Sequence, residues 1–174
     1  MRRFGWLLMS LAALGLFCVP VAAAESLKVG VVDLQRCIMD STEGKRVKDE
    51  LQKKKDAMQQ KLDERQSKLV QFKKELDKQS MMLSMDAKED KAKEFERQRR
   101  EFKYFYDDLV QQMRKTELEA KKKLVRELEK VISKIGKEGK YDLILERRTS
   151  GIMHYSKALD ITDEVTKAYD RSKQ

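Results

Sequence analysis

Few side chains in this sequence are suited to making or breaking bonds. It holds one histidine, His154, and two cysteines, Cys18 and Cys37. Catalysis needs a nucleophile, a base and a stabilising group in one constellation. The sequence shows no serine elbow, no phosphate-cradling glycine loop and no ligand cluster at metal spacing. His154 stands among apolar neighbours in "IMHYS", which reads as a partly buried structural ring. Nothing around Cys37 marks it as an activated thiol. The carboxylates are spread as i, i+4 partners of Lys and Arg, as in Glu96 with Arg100 and Glu117 with Lys121, the pattern of solvated helix faces. The expectation is a protein that is no enzyme and uses neither cofactor nor metal.

What remains is the chemistry of adhesion. In "QSMMLSMDAKED", residues 79–90, Met81, Met82, Leu83 and Met85 form an apolar knot in a chain of which 40% is charged. Methionine is flexible and polarizable, so such a knot suits contact with many apolar sequences. It equally suits plugging a turn, and the sequence leaves both readings open. In "FKYFYDDL", residues 102–109, Tyr104 and Phe105 point away from the helical seam that Phe102 and Tyr106 define. Basic runs supply Lys53, Lys54, Arg97, Arg100, Lys121 and Lys122, which attract acidic chains or anionic head groups by a force that salt weakens.

These residues have to be positioned, and the pattern along the chain says how. Arg2 and Arg3 precede an apolar run from Trp6 to Val19, and Ala22, Ala23 and Ala24 provide the small residues that signal peptidase reads. Residues 1–24 are expected to be a signal peptide cut after Ala24. A lipoprotein would need a small residue before Cys18, where Phe17 stands. Cleavage lowers the net charge from +9 to +7 and removes Cys18 and Pro20, leaving Cys37 as the sole thiol and no proline. A lone thiol in an oxidising compartment is buried or paired with another subunit, and burial is the expectation here. Export argues against nucleic acid as the partner of the positive surface.

"LKVGVVD", from Leu27 to Asp33, predicts a strand, and Asp33 a cap for a short helix carrying Leu34, Cys37 and Ile38 on one face. Asp40 and Glu43 have capping-box spacing for a long helix that runs to about Gln79. Its seam is Leu51, Met58, Leu62, Leu69, Phe72 and Leu76, interrupted by Lys55 and Arg65, whose alkyl stems can pack while their charges reach water. A second long helix, capped near Asp86, continues the heptads through Ala92, Phe95, Phe102, Tyr106, Leu109 and Met113, with Arg99 in one slot. Ala120, Leu124 and Leu128 then advance by fours, which relaxes the supercoil. After Gly136 and Gly139, residues 141–147 and 152–156 predict a β-hairpin, and Thr162 the cap of a final helix.

The fold expected is α+β: a small body built from both chain ends, residues 25–44 and 137–174, with an antiparallel coiled-coil arm inserted at 45–136 and its tip near 80–86. Three short strands and two short helices bury too little to stand alone, so assembly through the body is expected.

At its two ends, "KVGVVDLQRCIMDSTEGKRV" (28–47) and "GKYDLILERRTSGIMHYSKALDITDEVTKAYD" (139–170), the chain resembles the Skp/OmpH family of periplasmic chaperones. Cys37 stands where the family pattern leads one to expect an aliphatic residue. The resemblance implies a homotrimer, strands of three bodies joined, arms hanging as tentacles, and unfolded outer-membrane β-barrel proteins held between them without ATP. It implies that Met81, Met82, Leu83 and Met85 at the tip and Tyr104 and Phe105 on the arm are candidate client contacts, with the six basic residues named above as attractors. Anionic lipid or lipopolysaccharide is a further implied partner, with no arm motif to place the contact. The rival reading is an exported coiled-coil spacer that holds two partners apart, which calls for a well-packed seam.

Overall fold

The computed structural model describes residues 27–174; the expected signal peptide and its cleavage after Ala24 lie outside the described residues. The order is β1 (Val29–Val32), α1 (Leu34–Asp40), α2 (Thr42–Gln79), α3 (Met85–Glu138), β2 (Leu143–Glu146), a 3-10 turn (Lys157–Leu159) and α4 (Thr162–Arg171).

The strand pairing differs from the hairpin that the sequence suggests. β2 pairs with β1 in parallel, Val29 opposite Leu143 and Val32 opposite Glu146. Parallel strands need a long crossover, and here the entire arm is that crossover. On the other edge of β1 the Ile161 N–H donates to the Val31 carbonyl at 2.9 Å. Residues 152–156 form no strand. The cause is local: the Glu146 carboxylate accepts from the Arg148 N–H (2.8 Å), the Thr149 N–H (2.6 Å) and the Thr149 hydroxyl (2.7 Å). That curls the chain out of the sheet, and Gly151 completes the departure at a φ of +66°. His154 is consequently exposed, not partly buried.

The caps show the same competition between local choices. Asp33 caps α1 as expected, accepting from the Arg36 N–H at 2.9 Å. Asp40 does not cap α2, because it still belongs to α1; Ser41 does, accepting from the Gly44 N–H at 3.2 Å. Ser84 caps α3 in place of Asp86. Thr162 is not the cap of α4 either. Its hydroxyl accepts from the Asp33 N–H at 3.0 Å, which ties the end of β1 to α4, while the Asp160 carboxylate takes the Thr162 N–H at 2.9 Å.

α2 and α3 have 38 and 54 residues, about 57 and 81 Å at helical rise. Phe72 meets Phe95, Arg65 meets Phe105, and Lys55 shares a groove with Met113. Rising numbers on α2 thus meet falling numbers on α3. The core lies at the base, where Val32, Cys37, Leu124, Leu128, Ile135, Ile161, Val165 and Tyr169 form one buried cluster. This explains the spacing by fours at Ala120, Leu124 and Leu128: beyond the arm, α3 must face α1 and α4 as well as α2.

Cys37 is fully buried, its thiol 3.6 Å from the Thr162 carbonyl, and burial pushes its pKa up. Alkylation by iodoacetamide at pH 8 is expected to be about a hundredfold slower in the folded chain from Glu25 onward than in urea. Equal rates would show that the thiol is accessible.

Asp33, almost fully buried, also receives Arg148 at 3.2 Å and Arg147 at 3.4 Å. Burial alone would raise its carboxyl, but the Arg36 N–H and the two guanidinium groups outweigh it and hold it below its ordinary 3.8. Asp160, Glu127 and Glu146 are likewise lowered against the pull of burial. Depressed carboxyl values stabilise the fold at pH above the ordinary values and cease to do so as pH falls through the folded ones. The urea midpoint should therefore hold between about pH 5 and 8 and drop below about pH 4, with a shallower drop in Asp33→Asn. A midpoint indifferent to acid would refute this.

Candidate functional site

The arm's tip is Ser80–Ser84, between the last turn of α2 and the cap of α3. The Met82 and Leu83 N–H groups both donate to the Gln79 carbonyl, at 2.9 and 3.2 Å, and the Ser80 hydroxyl to the Asp77 carbonyl at 2.7 Å. This tight turn sends the methionines outward: Met81, Met82 and Met85 are 95%, 89% and 80% exposed. Leu83 is half-buried. The plug that the sequence allows is therefore Leu83 alone.

Below the tip, the Phe72 and Phe95 rings stack with centroids 6.3 Å apart and planes 1° from parallel. Lys91 lies over Phe72 and Lys73 over Phe95, each at 5.5 Å, so the pair is covered by cations from both helices. Further down, the Arg65 guanidinium sits 3.6 Å above the Phe105 ring. Arg65 thus fills its seam slot by lying on an aromatic face. Phe105, expected to point away from α2, is half-buried beneath it, and Tyr106, expected in the seam, is largely exposed. Tyr104 is 69% exposed. The packing departs from the strict heptad here, with Phe105 beneath Arg65 and Tyr106 at the wall of the helix pair's open side.

Lys53, Lys54, Arg97, Arg100, Lys121 and Lys122 are all exposed. Arg97 is held between Glu94 at 2.6 Å and Glu101 at 3.4 Å, which cancels much of its pull. Glu96 pairs with Arg99 at 3.2 Å, not with Arg100. Exposed pairs of this kind contribute little stability because solvent screens them, and they leave the arm's cationic surface to the other five residues. Among the described residues, no group of three His, Cys, Asp or Glu side chains could hold a metal ion.

A trough opens along the seam itself, where the heptad count predicts closed packing. It runs between α2 and α3 with Met58, Leu62, Tyr106, Leu109, Val110 and Met113 in its wall. The exposed Val110, off the seam and apolar, is the residue that hinted at it.

The class that the fold defines is a long helical hairpin carried on a small α/β body. The OmpH family model, described as outer membrane protein (OmpH-like), matches residues 28–169, and the chain belongs to this family. A solved structure from Caulobacter crescentus CB15, provisionally described as an OmpH-like outer membrane chaperone, shares the fold: TM-score 0.77, 23% identity, 84% of this chain and 85% of that one covered. Among curated proteins no match is found. No helix among the described residues is long and apolar enough to cross a membrane.

Proposed function

We propose that this protein is an ATP-independent periplasmic holdase that keeps unfolded outer-membrane β-barrel proteins from aggregating. Membership of the OmpH-like family and the chaperone description of the Caulobacter relative support the setting. The observation that carries the reading is the tip: three methionines lie almost wholly in solvent at the end of an arm about 50 Å long or more. Exposed adaptable side chains cost solubility and suit contact with varied apolar sequences. Tyr104 extends that surface down the arm, and the unpaired cations attract acidic stretches of client.

The arm is proposed to work as one of three coiled-coil tentacles. The outer edge of β2 pairs with nothing among the described residues. Leu27, Leu143 and Met153 are exposed on the same small body, Met153 at 98%. An open strand edge beside apolar residues invites pairing with another copy, which supports a homotrimer joined through the bodies. A spacer would call for a closely packed seam. Yet the α2 seam residues are all only half-buried.

Native mass spectrometry of the chain from Glu25 onward tests both points, first alone and then after a urea-unfolded barrel protein is diluted into it. The expected result is a trimer that takes up one client and keeps it soluble. A monomer or dimer that leaves the client to precipitate would overturn the reading. The double variant Met81→Ser, Met82→Ser should weaken capture about tenfold, as loss of two exposed apolar anchors predicts, while leaving the trimer intact. Unchanged capture would remove the tip from the mechanism.

A further inference from the structure

We propose that the trough between α2 and α3 is a binding site for one extended polypeptide segment of about eight residues that combines apolar side chains with carboxylates. This deepens the holdase reading and takes from it only the source of the segment.

Two adjoining cavities, about 310 and 380 Å³, share Lys55, Met113 and Glu117 and so form one continuous groove on one side of the helix pair. On α2 the positions 48, 52, 55 and 59, and on α3 the positions 110, 114, 117 and 121, each follow one helix face. From Gly44 to Leu62 the groove extends about 27 Å along α2, which matches about eight residues of extended chain at strand rise. Its floor is apolar: Val47, Leu51, Met58, Leu62, Leu109 and Met113. The two methionines adapt to side chains of different shape.

The rim sets the charge of the occupant. Lys48, Lys55, Arg114 and Lys121 line the groove against a single carboxylate, Glu117. Among the described residues none of the four cations is in an ion pair. An apolar floor under free cations selects an acidic, apolar ligand. Two glutamines favour a polypeptide over an acyl chain. Gln52 and Gln59 each donate an amide N–H to Asp56 and Asp63 at 2.8 Å. Each side-chain carbonyl is left to accept from a peptide N–H, a donor that no acyl chain has.

The test uses a fluorescein-labelled peptide of about ten residues alternating Leu or Val with Asp, and its twin with Lys for Asp. Val110→Glu places a repelling charge in the groove; Leu118→Glu, 51% exposed and outside the groove, is the control. Fluorescence anisotropy at low salt should show the Asp peptide binding about tenfold tighter than its twin, and Val110→Glu losing about tenfold while Leu118→Glu stays near the parent. Benzophenone at position 110 should crosslink the peptide. Equal losses in the two variants would overturn the proposal. So would crosslinking at position 110 to a second copy of the chain, or to phosphatidylglycerol vesicles in place of peptide. If Val110→Glu binds peptide as the parent does while the parent keeps an unfolded barrel protein soluble, the trough fails and the holdase reading stands. If peptide binds in the trough but the barrel protein precipitates, the trough stands and the holdase reading fails.

Discussion

Gly44→Ala is expected to destabilise the fold by about 3 kcal/mol or more, a large share of the 5 to 15 kcal/mol typical of a domain. Gly44 is buried in the first turn of α2, where that helix turns off the end of α1. A Cβ there would stand 1.7 Å from the Ile38 carbonyl oxygen and 2.9 Å from the Ser41 Oγ. The first neighbour is backbone, so no rotamer change relieves the overlap. α1 and α2 would have to separate, breaking the Ser41 cap and the bond from the Ser41 N–H to the Cys37 carbonyl. Gly136→Ala is the internal comparison. It lies inside α3, and its Cβ would meet only Ile144 Cδ1 at 3.4 Å. There the gain in helix propensity should make the change neutral or stabilising by about 0.5 to 1 kcal/mol. Urea melts of both variants at one protein concentration decide it; two variants of equal stability would mean that α1 and α2 are not held as described.

Tyr169→Ala should cost about 3 to 5 kcal/mol, the range for emptying a buried aromatic site. Tyr169 is fully buried in α4 against the base of α3, and its hydroxyl donates to Glu127 at 2.6 Å. Burial and the neighbouring Glu127 carboxylate push its phenol well above the ordinary value, so it stays protonated. Glu127 also takes Lys173 at 2.8 Å. Tyr169→Phe keeps the packing and loses the hydrogen bond, for about 1 to 3 kcal/mol, since the acceptor is charged. The two variants should therefore rank Ala below Phe below parent in urea midpoint. A Phe variant as weak as the Ala variant would assign the whole effect to the Glu127 bond.

Much of the arm was legible in the sequence because helices announce themselves locally. The 3.6-residue period, the absence of proline beyond Pro20 and the exposed polar faces predicted two long helices and a tip close to where they lie. Helix ends were less legible. Asp40, Asp86 and Thr162 all had capping chemistry, yet Ser41 and Ser84 cap α2 and α3, and α4 starts after Ile161 with no side-chain cap. The candidates are equivalent in sequence, and packing chooses among them. Thr162 is the clearest instance, because its hydroxyl is needed by the Asp33 N–H from the far end of the chain. The heptad count placed Tyr106 in the seam and Phe105 outside it, since it could not weigh a cation on α2 against a register.

The sequence by itself determined the helical arm, a strand within the stretch from Leu27 to Asp33, the burial expected of Cys37 and the family to which the chain belongs, all through short-range periodicity or motif at the two ends. Tertiary structure alone decided that β1 and β2 run parallel with the arm as their crossover, that residues 152–156 leave the sheet, and that α2 and α3 enclose an open trough. Strand pairing depends on residues more than a hundred positions apart, as with Val29 and Leu143, and groove shape on residues from two different helices, as with Lys55 and Met113. Contacts at that separation leave no period in the chain between them, so only folding brings them into view.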